Sequence, residues 1–224
     1  MFKNFLLDFI FPRYCLGCEK ELDSKHTSQI CEICFGKIQL NIGTPCQKKT
    51  ALKELFSAGQ YKDPILREAI HLFKYQSIES LKEPLAKLMI NYLTKELLTD
   101  KLKNSVLTPI PLTLKRKLTR GFNQSELLAE ELGKFLNLPV INLLKRKKFN
   151  SPQAEIEDWQ KRKENISGVF TLASDINFIG FGNLYNKVIL VDDVSTSGAT
   201  LEEAAKVLKQ AGVEEIYGIV VARG

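Results

Sequence analysis

The sequence predicts an α/β fold, a mostly parallel sheet flanked by helices and preceded by a small cysteine-rich knuckle. Three observations carry this prediction. Strand-like runs alternate with helical apolar periodicity from residue 55 onward. The run KVILVDDV at 187–194 holds four consecutive apolar residues, the pattern of a strand buried on both faces. All five cysteines lie in the first 46 residues. We therefore expect two units, a knuckle at 1–50 and the sheet domain at 51–224. Of 224 residues, 44% are hydrophobic and 26% charged. That balance excludes disorder over most of the chain, collagen-like repeats and a disulfide scaffold. No stretch reaches the roughly 18–20 apolar residues of a membrane span. The N-terminal MFKNFLLDFIF is broken by Asp8, and no small-residue cleavage site follows it. It reads as a short amphipathic helix rather than a signal peptide, so a cytoplasmic location is expected.

The elements follow in order. LFSAGQY at 55–61 is a strand, with Pro64 in the turn after it. Ile65, Ala69, Leu72 and Phe73 recur at helical spacing, as do Leu81, Leu85, Leu88, Met89 and Tyr92. VLTPIP at 106–111 is a buried strand ending in a proline turn. Asn123, with Glu126 three residues on, starts a helix whose face is Leu128, Leu132 and Phe135. Residues 140–143 read as a strand and 145–167 as a long polar loop, the kind that often serves as a lid. GVFTLA at 168–173, KVILVDDV and EEIYGIVVA are further strands, and a helix runs from about Ala199 to Ala211.

Cys15-Leu-Gly-Cys18 and Cys31-Glu-Ile-Cys34 are separated by twelve residues. Each CxxC makes a tight turn that aims two sulfurs at one centre, the pattern of a four-thiolate zinc site. Gly17 lies in the first turn, where a positive φ would be cheap. A reducing compartment disfavours the alternative of two disulfides. Four thiolates close the coordination sphere, so the expected Zn²⁺ is structural. Cys46 has no CxxC partner and is expected to be a free thiol, and His26 is not needed as a ligand.

Lys plus Arg exceed the acids by 32 to 26, a net charge of +6. The excess is clustered at 115–117, 145–148 and 161–163. Such clusters suit polyanions, either a phosphorylated ligand or a nucleic-acid backbone, although solvated faces look the same.

The chemistry concentrates at 188–200. Asp192 and Asp193 emerge at the carboxyl end of the apolar strand, where open α/β sheets bind ligands. Val194, Ser195, Thr196, Ser197, Gly198, Ala199 and Thr200 then lead into a helix. Backbone N–H groups of such a loop hold a phosphate without a cation, and the hydroxyls add donors. Paired carboxylates accept from vicinal hydroxyls. Together they describe a site for a ribose 5-phosphate. No GxGxxG and no GxxxxGK[ST] is present.

This segment resembles the phosphoribosyl pyrophosphate (PRPP) signature of type I phosphoribosyltransferases. FPRYCLGC, HLFKY at 71–75, TPIPL at 108–112, RGFNQ at 120–124, SPQ at 151–153 and KRKENISGVF at 161–170 come in the order seen in the ComF/ComFC competence-protein family. The resemblance spans nearly the whole chain, and Cys46 departs from it where many members carry a further CxxC pair. It implies a type I phosphoribosyltransferase-like sheet fused to a zinc knuckle, acting in natural transformation as single-stranded DNA enters the cytoplasm. By the same resemblance, Asp192 and Asp193 hold the ribose hydroxyls, directly or through Mg²⁺. Pro109, Ile110, Pro111 and Leu112 form the pyrophosphate loop. Lys115, Arg116 and Arg120 supply charge, and Lys145 and Arg162 reach in from the flexible loop. Asp192, Asp193, Arg120 and Arg162 are then the catalytic candidates for displacing pyrophosphate from C1 of the sugar. Expected partners are PRPP, single-stranded DNA and the uptake machinery at the inner membrane. Two other readings stay open, a nucleobase-salvage transferase and a regulator that senses PRPP. No base-reading hood is recognisable, and His71 reads as a core or surface residue.

Overall fold

The structure is a computed structural model that describes residues 13–23, 28–43, 50–147, 168–173 and 186–224. The expected N-terminal helix, His26, Cys46, Arg162 and most of the 145–167 loop lie outside these residues.

The knuckle comprises a two-residue hairpin, β1 (Arg13–Tyr14) and β2 (Glu21–Leu22), and a short helix α1 (Glu32–Lys37). Strand β3 (Glu54–Gln60) follows, then α2 (Pro64–Tyr75) and α3 (Lys82–Lys95). Pro64 is not in a turn but at the start of α2, where its missing N–H costs nothing, and Asp63 Oδ1 accepts from Leu66 N to cap the helix. After β4 (Val106–Pro109) come α4 (Leu114–Arg120) and α5 (Gln124–Leu136). β5 (Leu144–Arg146) and β6 (Phe170–Leu172) form an antiparallel hairpin base. β7 (Lys187–Ser195), α6 (Ala199–Gln210) and β8 (Glu215–Arg223) complete the described chain.

Among the described residues the central sheet has four parallel strands in the order β3-β8-β7-β4. Alternation along β7 sends Ile189 and Val191 into one layer and Val188 and Leu190 into the other. Phe73 of α2, Leu85 and Met89 of α3, and Leu128 and Leu132 of α5 fill the first layer. Leu201, Ala204, Ala205 and Leu208 of α6 fill the second. Each fully buried aliphatic or aromatic side chain contributes about 1.5–3 kcal/mol. Leu22, Ile30 and Ile38 of the knuckle join the first layer, so apolar packing as well as the chain fastens the knuckle to the sheet.

Two further local expectations fail, and one helix is present that the sequence did not announce. Residues 140–143 are not a strand, because Val140 makes a single bridge to Leu107 and ladder pairing begins only at Leu144. Phe135 is half exposed, because the buried stripe of α5 runs through Gln124, Ser125, Leu128, Ala129 and Leu132. The basic stretch after TPIPL forms a helix, α4, capped by Thr113, whose side chain accepts from Arg116 N.

Candidate functional site

The parallel sheet brings the carboxyl ends of β4 and β7 side by side, with α5 running beneath them. Asp192 and Asp193 stand at that edge. Asp192 Oδ1 accepts from Ser125 Oγ at 2.8 Å and from the Asp193 N–H at 2.9 Å. Asp193 Oδ1 accepts from Val194 N at 2.6 Å and pairs with Lys74 Nζ at 2.9 Å. Burial, reinforced by the neighbouring Asp193 charge, pushes the Asp192 carboxyl up to about 7. The Ser125 hydroxyl and Lys74 pull it the other way without prevailing. Two adjacent carboxylates are thus held by one ammonium, an arrangement that favours an incoming cation or hydroxyl donors.

Thr196–Gly198 turn the chain from β7 into α6. Gly198 takes φ 76°, in the left-handed region where a side chain would be strained, and it opens the helix. Ala199 N donates to Ser197 Oγ at 3.3 Å. Ser195 Oγ is buried, and among the described residues it has no hydrogen-bond partner.

The TPIPL turn offers less backbone than its sequence suggests. Pro109 and Pro111 have no N–H, and Ile110 N is committed to Val191 O at 3.0 Å. Ile110 is itself buried, so among the described residues the amides this turn leaves for a ligand are those of Leu112 and Thr113. Asn123 Nδ2 donates to Ile110 O at 3.1 Å and fixes the turn against α5.

The cations divide. Lys115 and Arg116 are exposed on α4. Arg120 turns its guanidinium over the Tyr75 ring, 5.3 Å from the centroid, and donates to Gln124 Oε1 at 3.2 Å. Lys145 is exposed on β5. Its neighbour Arg146, not singled out from the sequence, lies against the Phe170 ring at 5.4 Å and in the field of Arg116 and Asp192. Burial, then Arg116, lower its proton affinity, while Asp192 opposes them. Lys74 and Ser125 also escape sequence reasoning, although HLFKY contains the first and the second directly follows RGFNQ. The available signal is a serine at an interior position of α5.

The knuckle gathers Cys15, Cys18, Cys31 and Cys34 with all four sulfurs within 4.8 Å of one another. Burial disfavours the Cys15 thiolate, but N–H groups of Cys31, Gly17 and Cys18 outweigh it and bring the thiol down to about 6. Burial and the three neighbouring sulfurs push Cys34 up to about 12. Four sulfurs so close can all ionise only around a cation, and the sulfur donor set fits a metal ion such as zinc. Gly17 is needed here for space rather than for a positive φ. A Cβ at this position would sit 2.8 Å from both Cβ and Sγ of Cys34.

A phosphoribosyl transferase domain family matches residues 184–224, the β7–α6–β8 segment with the paired aspartates. Competence protein F of Haemophilus influenzae is 32% identical over 214 residues, covering 93% of this chain and 90% of that protein. The chain belongs to the ComF/ComFC competence-protein family. Competence protein ComFC of Bacillus subtilis is 28% identical, covering 89% of this chain and 79% of that one. The DNA utilization protein YhgH of Escherichia coli strain K12 is 24% identical, with 92% and 94% covered. Among solved structures, a purine phosphoribosyltransferase from Pyrococcus horikoshii Ot3 matches 62% of this chain and 83% of its own, at 20% identity and a TM-score of 0.33. The domain match and the competence relatives make the chain a phosphoribosyltransferase-fold member of a competence family, with a cysteine cluster placed to hold a metal.

Proposed function

We propose that this protein binds Mg²⁺-PRPP at the carboxyl edge of β7 and β4, and acts on incoming single-stranded DNA in the cytoplasm during natural transformation. The observation that carries the reading is the Asp192–Asp193 pair beside the Ser195–Thr200 turn. The carboxylates accept from ribose hydroxyls, and the amides and hydroxyls of the turn, Ser195 Oγ among them, donate to the 5-phosphate. Carboxylate oxygens also suit Mg²⁺, which would neutralise charge on the diphosphate. The Leu112 and Thr113 amides, with Lys115 and Arg116 on α4 and Lys145 and Arg146 on β5, face the leaving pyrophosphate. Arg162, outside the described residues, would add a further charge to the pyrophosphate, as the family resemblance implies. Zn²⁺ on the four thiolates holds the knuckle at 1–50 as a structural unit against the sheet domain at 51–224. Among the described residues no helix is long and apolar enough to cross a membrane.

The test is to incubate purified protein with PRPP and Mg²⁺, adding in turn single-stranded DNA and each nucleobase, and to measure pyrophosphate. Release that depends on single-stranded DNA supports transfer to it. Release that depends on one base supports the salvage reading. Binding without release under every condition makes the chain a PRPP-responsive binding protein.

A further inference from the structure

The C-terminal end of α2 presents two consecutive residues in different directions. Lys74 reaches inward to Asp193 at 2.9 Å. Tyr75 points out and is 65% exposed. An exposed tyrosine at a helix end is unremarkable by itself, but this one is built into a stack. The His71 imidazole lies one turn back on the same helix face, 5.0 Å from the Tyr75 ring centroid and tilted by 44°. The Arg120 guanidinium sits 5.3 Å from the centroid.

The stack is braced from below. Arg120 donates to Gln124 Oε1, and the buried Gln124 passes the constraint on by donating from Nε2 to Phe73 O at 3.1 Å, two residues before Tyr75. Ser77 Oγ donates to Arg120 O at 2.8 Å. Two elements distant in sequence are thereby locked together so that a cation and two rings form one surface. Among the described residues Arg120 has no carboxylate partner, so its charge is available to an anion.

A planar π-face with a fixed guanidinium, exposed and beside a phosphosugar site, is the chemistry that takes an unpaired base with its phosphate. A duplex keeps its base faces stacked and cannot use it. We infer that Tyr75, Arg120 and His71 form a stacking platform for a base of single-stranded DNA, and that Arg120 serves the strand rather than the pyrophosphate. Tyr75 is the anchor, His71 extends the platform, and Arg120 contacts the flanking phosphate. The inference rests on the reading that this chain handles single strands. It adds where the strand lies: across the Tyr75 ring at the C-terminal end of α2, the helix whose preceding residue, Lys74, reaches Asp193.

The test uses full-length protein and a fluorescent 20-nucleotide single strand followed by anisotropy, with 2-aminopurine strands reporting stacking directly. Stacking is worth about 1–3 kcal/mol per base, so Tyr75→Ala should weaken binding roughly 5- to 150-fold and abolish the 2-aminopurine quench. Tyr75→Phe keeps the π-face and should bind within about twofold of wild type, which separates stacking from any loss of fold. The salt dependence of Tyr75→Ala should match wild type, whereas Arg120→Gln should lower the slope by about one phosphate. Free thymine or adenine should not displace the strand, and neither should a duplex of the same sequence. Equal affinity and equal quenching in Tyr75→Ala would overturn the platform while leaving single-strand binding elsewhere on the chain. Displacement by duplex, or by a free base, would also overturn it. A wild-type protein that binds no single strand would overturn both the platform and the single-strand reading.

Discussion

Asp192→Asn separates what the paired carboxylates do for the ligand from what they cost the fold. The amide oxygen that this substitution introduces would keep both bonds that Asp192 Oδ1 now accepts, from Ser125 Oγ and Asp193 N. What disappears is the charge. In the unfolded chain an aspartate ionises near about 3.9, whereas burial and the Asp193 charge hold Asp192 at about 7. Below about pH 4 both states are protonated and the difference vanishes. Between about pH 4 and 7 the unfolded chain releases the proton while the folded chain keeps it, so folding is progressively penalised as pH rises. Above about 7 the penalty is complete, on the order of 4 kcal/mol for about three pH units at about 1.4 kcal/mol each. Asp192→Asn should therefore raise the unfolding free energy by that amount at about pH 8 and by almost nothing near pH 4. Urea denaturation of both proteins at the two pH values measures it. The same stabilisation at both pH values, or none at either, would refute an ionised, burial-strained Asp192.

Three further outcomes are expected. Lys74→Met strands the buried Asp193 carboxylate and should destabilise by about 3 kcal/mol; Lys74→Met with Asp193→Asn should recover most of that, and non-recovery in denaturant titration would show that Lys74 acts by packing. Elemental analysis should find one zinc per chain, lost in Cys34→Ser and retained in Cys46→Ser, and a stoichiometry near zero in protein never exposed to chelator would end the zinc assignment. Gly17→Ala forces its Cβ onto Cys34 and should speed metal loss to a chelator by about tenfold or more, whereas an unchanged rate would mean that the knuckle turn has room.

Much of the fold is legible because its periodicities are strong. The apolar run before Asp192 can only be a strand covered on both faces, and the five positions Leu81, Leu85, Leu88, Met89 and Tyr92 are all buried. Sequence reasoning fails where tertiary context decides. Val140 to Leu143 have strand composition, but among the described residues they make one isolated bridge, Val140 to Leu107, and scattered backbone bonds from Ile141 and Leu143 that do not extend into a ladder. Helix α4 buries nothing, so no apolar stripe announces it. The centre of the candidate site, Asp192, Asp193 and the turn after them, is contiguous and therefore readable. Lys74, Ser125 and Arg146 come from three other elements, and only the folded sheet shows that the first two bond the carboxylates and that the third lies in the field of Asp192. The TPIPL turn looks rich in amides until its prolines and the Ile110–Val191 hydrogen bond are counted. Gly17 stands out in the sequence as a turn residue, but the property that matters is its size, since crowding by Cys34 is invisible in a local sequence.

The most direct measurement is calorimetric titration of Mg²⁺-PRPP into wild type and into the Asp192→Asn, Asp193→Asn double variant, beside melting curves of both. Unpaired ligand hydroxyls cost about 1–3 kcal/mol each, so the double variant should bind roughly tenfold to a hundredfold more weakly while staying folded, the relief of the Asp192 charge offsetting the partner that Lys74 loses. Equal affinities in two well-folded proteins would contradict the assignment of PRPP to the edge of β7.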